Sequence, residues 1–167
     1  MTVILHAALV LGLLQGGTAN DAGAVTRAAL RAVERDSAAA MTSSWQARLR
    51  RDPRDRAATL GLATIALHSY DYVAAERGYQ SLLPGSGARP DGFAVRARIG
   101  LVTAARVRGR YAGAELEAVR AVAEAEAIGD TAAQAQALLN LAALRSRTRG
   151  RAARDSVLDA AAPLVRD

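Results

Sequence analysis

The side chains capable of chemistry are few, and their spacing suits it poorly. His6 and His68 are the only two histidines, neither has a partner at metal-ligand spacing, and the chain contains no cysteine. Disulfides, thiolate chemistry and cysteine-based zinc sites are therefore excluded. Ser43 and Ser44 lack the glycine-flanked turn that presents a serine nucleophile, and no base lies near them, so they read as polar helix surface. The GSG of Gly85–Gly87 is too short to cradle a phosphate and precedes no Gly-Lys-Ser/Thr run. Glu115, Glu117, Glu124 and Glu126 resemble a carboxylate cluster for hydrolysis or cation binding. Spacings of two, however, send the members of each pair in diverging directions on a helix, with Arg120 within a turn. They read as a solvated face. Trp45, the single tryptophan, is expected to pack in the core. No catalytic residue, cofactor site or metal site is assigned, and the expected function is non-catalytic.

Charge and composition narrow the partners. The formal charge is +6, and all 22 basic residues are arginine. They are dispersed among carboxylates rather than blocked together with aromatics, which argues against a nucleic-acid surface. The chain is 51% apolar but only 4% aromatic. Alanine supplies about a quarter of it, an excess that favours helix and demands close helix approach. At 167 residues the chain suits one domain with a real core.

The elements that must hold any site are helical. Apolar positions recur at helical spacing from Asp21 almost to the end, and no stretch alternates with period two. Asp21, Asp36 or Ser37, Asp55, and Asp130 or Thr131 are candidate helix caps, and Pro53 closes the second helix. The stretch DYVAAERGYQSLLP, Asp71–Pro84, places Tyr72, Ala75 and Tyr79 on one narrow face. Pro84–Gly92 is the clearest internal loop.

Three segments repeat: SYDYVAAERGY, VRGRYAGAELEAV and RTRGRAARDSVL each follow an apolar helix. They align Tyr72, Tyr111 and Ala152 at separations of about 39 and 41 residues, a period typical of helical arrays. On these residues the chain resembles the tetratricopeptide-repeat family. The fullest repeat, about Arg56–Arg89, has Leu62 and Ala63 in the first helix, then Tyr72, Ala75 as the tight helix contact, Tyr79 and Leu82. A second repeat reuses Leu101, Gly109, Tyr111, Ala114 and Ala118. A third has Asn140, Leu141, Ala142 and Gly150, but places Asp155 where a small residue belongs. The extra length between repeats is similar to longer variants in bacterial regulators and scaffolds.

The resemblance implies an all-α fold over residues 21–167: antiparallel helix pairs stacked as a short right-handed α-solenoid. It further implies a groove lined by the first helix of each pair, carrying Thr64, Leu67, His68, Arg96, Ile99, Thr103, Arg106, Gln136, Asn140 and Arg147. Arg96, Arg106 and Arg147 would make that groove cationic, suited to carboxylates. Asn140 beside Arg96 or Arg106 is loosely similar to the way some members hold a peptide's terminal carboxylate. The dispersed Arg27, Arg31, Arg48 and Arg50 are expected to lie outside it. The expected role is a scaffold that binds a protein or peptide, with an acidic partner favoured. Open alternatives are a repeat segment of a larger regulator, protease or kinase, an exported envelope-assembly factor, and a nucleic-acid-binding repeat.

Residues 1–20 stand apart as a signal peptide or an apolar N-terminal helix. Val3–Leu14 has the length of a signal-peptide core and is short for a membrane span, although Met1 and Thr2 carry no positive charge. Ala19 and Ala24 are small residues suited to a cleavage site, Ala24 with Ala22 at the minus-three position, and the balance favours export over the cytoplasm; membrane contact would run only through this segment if uncleaved. Amino-terminal sequencing of the protein from its native cell should then find a chain starting near Asn20 or Val25. An intact Met1 or Thr2 end would reject export.

Overall fold

In the computed structural model, which describes residues 21–85 and 89–165, the regular structure is helical throughout, with no strand among the described residues. The helices are α1 Ala22–Glu34, α2 Ala38–Arg51, α3 Arg56–His68, α4 Tyr72–Leu82, α5 Gly92–Val107, α6 Ala114–Ala127, α7 Thr131–Thr148 and α8 Arg151–Ala161, then a 3-10 turn, Ala162–Val165. The expected leader in residues 1–20, with His6, lies outside the described residues, as do Ser86 and Gly87 of the GSG turn.

Aspartate starts five of these helices. The side chains of Asp21, Asp55, Asp71, Asp91 and Asp130 accept hydrogen bonds from the backbone N–H of Gly23, Ala58, Ala74, Ala94 and Ala133, at 2.8–3.1 Å. Each satisfies an orphan donor of a first turn, a contribution of about 1 kcal/mol. Neither Asp71 nor Asp91 is among the aspartates expected to cap. Ser37 begins α2 without a side-chain cap bond.

The face expected for Tyr72, Ala75 and Tyr79 is buried at Ala75 and Tyr79 and half-buried at Tyr72, and the neighbouring helices bury faces at the same spacing. Val25, Ala29 and Ala32 of α1, Leu60, Ile65 and Leu67 of α3, and Ala75, Tyr79 and Leu82 of α4 are all in the core. Trp45 is buried too, its indole lying flat against Gly61 of α3. Alanines dominate the remainder, and Ala118, Ala121 and Ala125 bring α6 onto its neighbours. Consecutive helices pack on one another from α3 to α8, while α3 also touches α5 and α5 touches α7. The first two helices depart from this order: α1 packs chiefly on α3 and reaches α5, and meets α2 far less.

Three expectations need correction. Tyr111 does not open a helix as Tyr72 does. Gly113, with φ of +78°, forms the turn that delays α6 until Ala114. Asp155 does not fill the tight position of α8; it pairs with Arg154, and Val157 and Ala161 make the buried contact. Nor are the glutamates of α6 all on a solvated face: Glu126 is exposed as expected, but the other three are engaged. Glu117 and Glu124 both hold Arg98 of α5, with Nε donating to Glu124 at 2.8 Å, and Glu115 pairs with Arg145 and Arg149. Burial disfavours the Arg98 charge, but Glu124 and Glu117 outweigh it and push its pKa up.

The closest approach of pairs is made without a side chain. A Cβ built on Gly100 of α5 would lie 2.3 Å from the Tyr79 ring of α4, inside any real contact. Gly100→Ala should therefore destabilise by about 1–3 kcal/mol through overpacking. An open helix site would instead gain up to about 1 kcal/mol from the same change. Gly92→Ala, whose Cβ would meet Ala22 at an ordinary 3.5 Å, is the control and should not destabilise. Thermal unfolding of both variants checks the pair; a stabilised Gly100→Ala would show that α4 and α5 do not meet there.

Candidate functional site

The first turns of α3, α5 and α7 begin on Asp55, Asp91 and Asp130, which sets the rotation of each helix and so the stripe it presents. Those stripes meet at one groove of about 450 Å³. From α3 come Thr64, Leu67 and His68; from α5, Arg96, Ile99, Thr103 and Arg106; from α7, Gln136 and Asn140. Nine of the ten residues expected in the groove thus share one cavity.

Arg147 is the exception. It lies nearly two turns beyond Asn140, close to the end of α7, and faces a second cavity with Arg106 and Arg154. The opposite wall was not anticipated. Gly23, Thr26, Arg27 and Leu30 of α1 close the groove, so Arg27 belongs to it rather than to the general surface. The signal was present in the sequence: these residues recur at helical spacing on the side of α1 away from Val25, Ala29 and Ala32.

Polar groups in the groove form short chains of hydrogen bonds. Asn140, itself buried, donates Nδ2–H to Thr103 Oγ1 at 3.1 Å, and Thr103 donates to the Ile99 carbonyl at 2.9 Å. The Tyr79 hydroxyl donates to Thr64 Oγ1 at 3.3 Å, and Thr64 donates to the Leu60 carbonyl at 2.9 Å. Burial pushes the Tyr79 pKa up to about 12, only partly opposed by the Thr64 contact, so this hydroxyl stays protonated. His68 sits at the rim, open to solvent, yet enough protein surrounds its ring for desolvation to hold its pKa below the ordinary imidazole value.

The two central arginines are not equivalent. Arg96 is committed: one terminal nitrogen lies 2.9 and 3.0 Å from the two carboxylate oxygens of Asp130, the residue that caps α7. Its side chain is 12% exposed, and it ties the α5 wall to the α7 wall. The Arg106 side chain has neither hydrogen bond nor carboxylate partner among the described residues; its Nε is buried and unpaired, as is that of Arg96, but Arg106 lacks the aspartate that compensates Arg96. An uncompensated guanidinium in a partly desolvated groove favours an anion strongly. The expected cationic trio therefore reduces here to one free cation, Arg106, with Arg27 set beside Asp21 at 3.8 Å. Among the described residues no group of three or more His, Asp or Glu could hold a metal ion.

Comparison with protein-family models, with curated proteins and with solved structures finds no match. The class supported directly is an all-α protein with repeat-like helix packing.

Arg96→Gln should lower stability by about 1–3 kcal/mol, because it strips a charge-assisted bond from Asp130 and loosens the cap of α7. Arg106→Gln should cost little or be stabilising, since it breaks no ion pair or side-chain hydrogen bond among the described residues. Urea unfolding separates the two; equal losses would mean that Arg106 has a structural partner.

Proposed function

We propose that the chain is a tetratricopeptide-like repeat in which α3/α4, α5/α6 and α7/α8 are successive antiparallel pairs of a short right-handed α-solenoid. On this reading it is a non-catalytic scaffold whose groove binds a short acidic segment of a partner protein. The arrangement in series of α3, α5 and α7 supports the stacking, because first helices of successive pairs neighbour one another in such arrays. The observation that carries the ligand class is Arg106: a cation without a carboxylate, set in an apolar and amide-lined groove. Ile99, Leu67 and Leu30 offer apolar contact, while Gln136 offers an amide to a peptide backbone. Nucleic acid is a poorer fit, because arginines 48, 56, 96, 98, 108, 110 and 145 are already engaged by carboxylates of the chain.

An array of immobilised peptides graded in acidic content tests this reading. Acidic peptides should be retained, and Arg106→Glu should reduce retention by roughly ten- to a hundredfold, the worth of one charge-assisted contact. Helix content should be unchanged, and Arg50→Glu on the exposed side of α2 should bind as wild type. Equal retention of neutral peptides, or equal loss on charge reversal at either arginine, would refute the groove.

A further inference from the structure

A second cavity, of about 430 Å³, opens on the far side of Arg106. Arg106 and Val107 at the end of α5, Tyr111 in the turn after it, Ser146 and Arg147 on α7, and Arg154 on α8 line it. The cavity brings three guanidinium groups together, and no carboxylate-bearing residue lines it. Arg154 donates from two nitrogens to Asp155 Oδ1, at 2.8 and 2.7 Å, which cancels one charge. Arg106 and Arg147 have no carboxylate partner among the described residues, so two positive charges remain uncompensated. Exposed arginines elsewhere are mixed: Arg110 pairs with Glu76 and Arg120 with Glu117, while Arg31, Arg50 and Arg77 have no carboxylate partner among the described residues. What sets this cavity apart is the gathering of three arginines in one concavity.

Like charges gathered in a concave site raise its potential, and a dianion is what relieves it. A phosphate monoester carries about −1.5 to −2 charges at neutral pH and offers three acceptor oxygens. Guanidinium forks match those oxygens in pairs. The hydroxyls of Tyr111 and Ser146 have no hydrogen-bond partner among the described residues and add neutral donors at the same wall. The Nε of Arg106 is buried and unpaired, which leaves its terminal nitrogens as the donors open to an anion in the cavity.

We propose that this second cavity binds a dianionic phosphoryl group, held by Arg106, Arg147 and Arg154 with the hydroxyls of Tyr111 and Ser146. Two sources carry that chemistry: free phosphate, and a phosphorylated side chain of a segment lying in the groove. Arg106 lines both cavities, so the phosphorylated side chain is the source the geometry favours, and that part rests on the peptide-binding reading above.

The test uses inorganic phosphate, N-acetyl-O-phosphoserine amide and acetate as probes, at neutral pH and constant ionic strength. Arginine Nε–H signals followed in proton–nitrogen correlation spectra report on Arg106 directly. Inorganic phosphate should shift that signal saturably at one site, and acetate should not. Arg147→Gln and Arg154→Gln should each weaken phosphate by roughly tenfold, as expected for one charge-assisted contact, and Arg50→Gln should leave it unchanged. Tighter binding of the phosphoserine amide than of phosphate assigns the site to a phosphorylated side chain, and the reverse order assigns it to the free anion. Absence of a saturable shift, an equal response to acetate, or full affinity in both variants overturns the proposal. Because inorganic phosphate needs no peptide, failure of the peptide array with phosphate binding intact would discard only the groove reading.

Discussion

The arrangement depends on the bond between an arginine and the aspartate that caps another helix. Arg48 of α2 holds Asp55 of α3 at 2.7 and 3.1 Å, Arg56 of α3 holds Asp91 of α5, and Arg96 of α5 holds Asp130 of α7. Each carboxylate does two jobs, accepting a backbone N–H of its own helix and a guanidinium from an earlier one. A cap fixes where a helix starts, and the guanidinium fixes where that start sits relative to its predecessor. Exposed ion pairs alone contribute little, about 0–1 kcal/mol. Here the pair is coupled to a cap, so loss of either partner disturbs both. For Asp91, burial opposes ionisation, but the Arg56 fork and the Ala94 N–H more than offset it and hold the carboxyl below its ordinary value. The stabilisation it supplies is therefore complete above the ordinary carboxylate range and is lost as pH falls through the lowered value.

Small residues make this spacing possible. With one tryptophan, one phenylalanine and abundant alanine, the core has little volume per residue, so helices must come close to bury enough area. Ala75 and Ala118 are fully buried, and Gly78 approaches so near Ala63 that a Cβ would lie 2.8 Å from that methyl. The few large side chains then act as spacers: Trp45 separates α2 from α3 over Gly61, and Tyr79 fills the gap over Gly100. Tyr79 also carries the groove's floor, because its hydroxyl fixes Thr64. The packing residue and the groove residue are one hydrogen bond apart.

Much of this was legible because it is local. Caps at Asp21, Asp55 and Asp130, the buried faces of α1, α3 and α4, and the polar surface at Ser43 and Ser44 follow from near neighbours in sequence. What failed to show was set by distant partners. Arg96 looks like any free cation until Asp130, thirty-odd residues away, is brought beside it. Glu117 and Glu124 were judged by their neighbours at spacing two, whereas their separation of two helical turns puts them on one side to grip Arg98. Arg147 follows α7 past the end of the groove, a displacement that repeat register alone does not reveal. The place of α1 across α3 and α5 was likewise hidden, since a regular array would have paired it with α2.

That every basic residue is arginine has a consequence for control of the molecule. A guanidinium does not deprotonate in the physiological range, and the side chain offers no amine for acetylation or ubiquitin attachment, as lysine does. The cations that tie the helices and those left unpaired around Arg106 thus stay charged whatever the pH or acyl-donor supply. No titration or lysine modification can switch them off. Gating of an anion at these arginines would then fall to the anion's own charge, to competition by salt and other anions, or, at the groove rim, to protonation of His68.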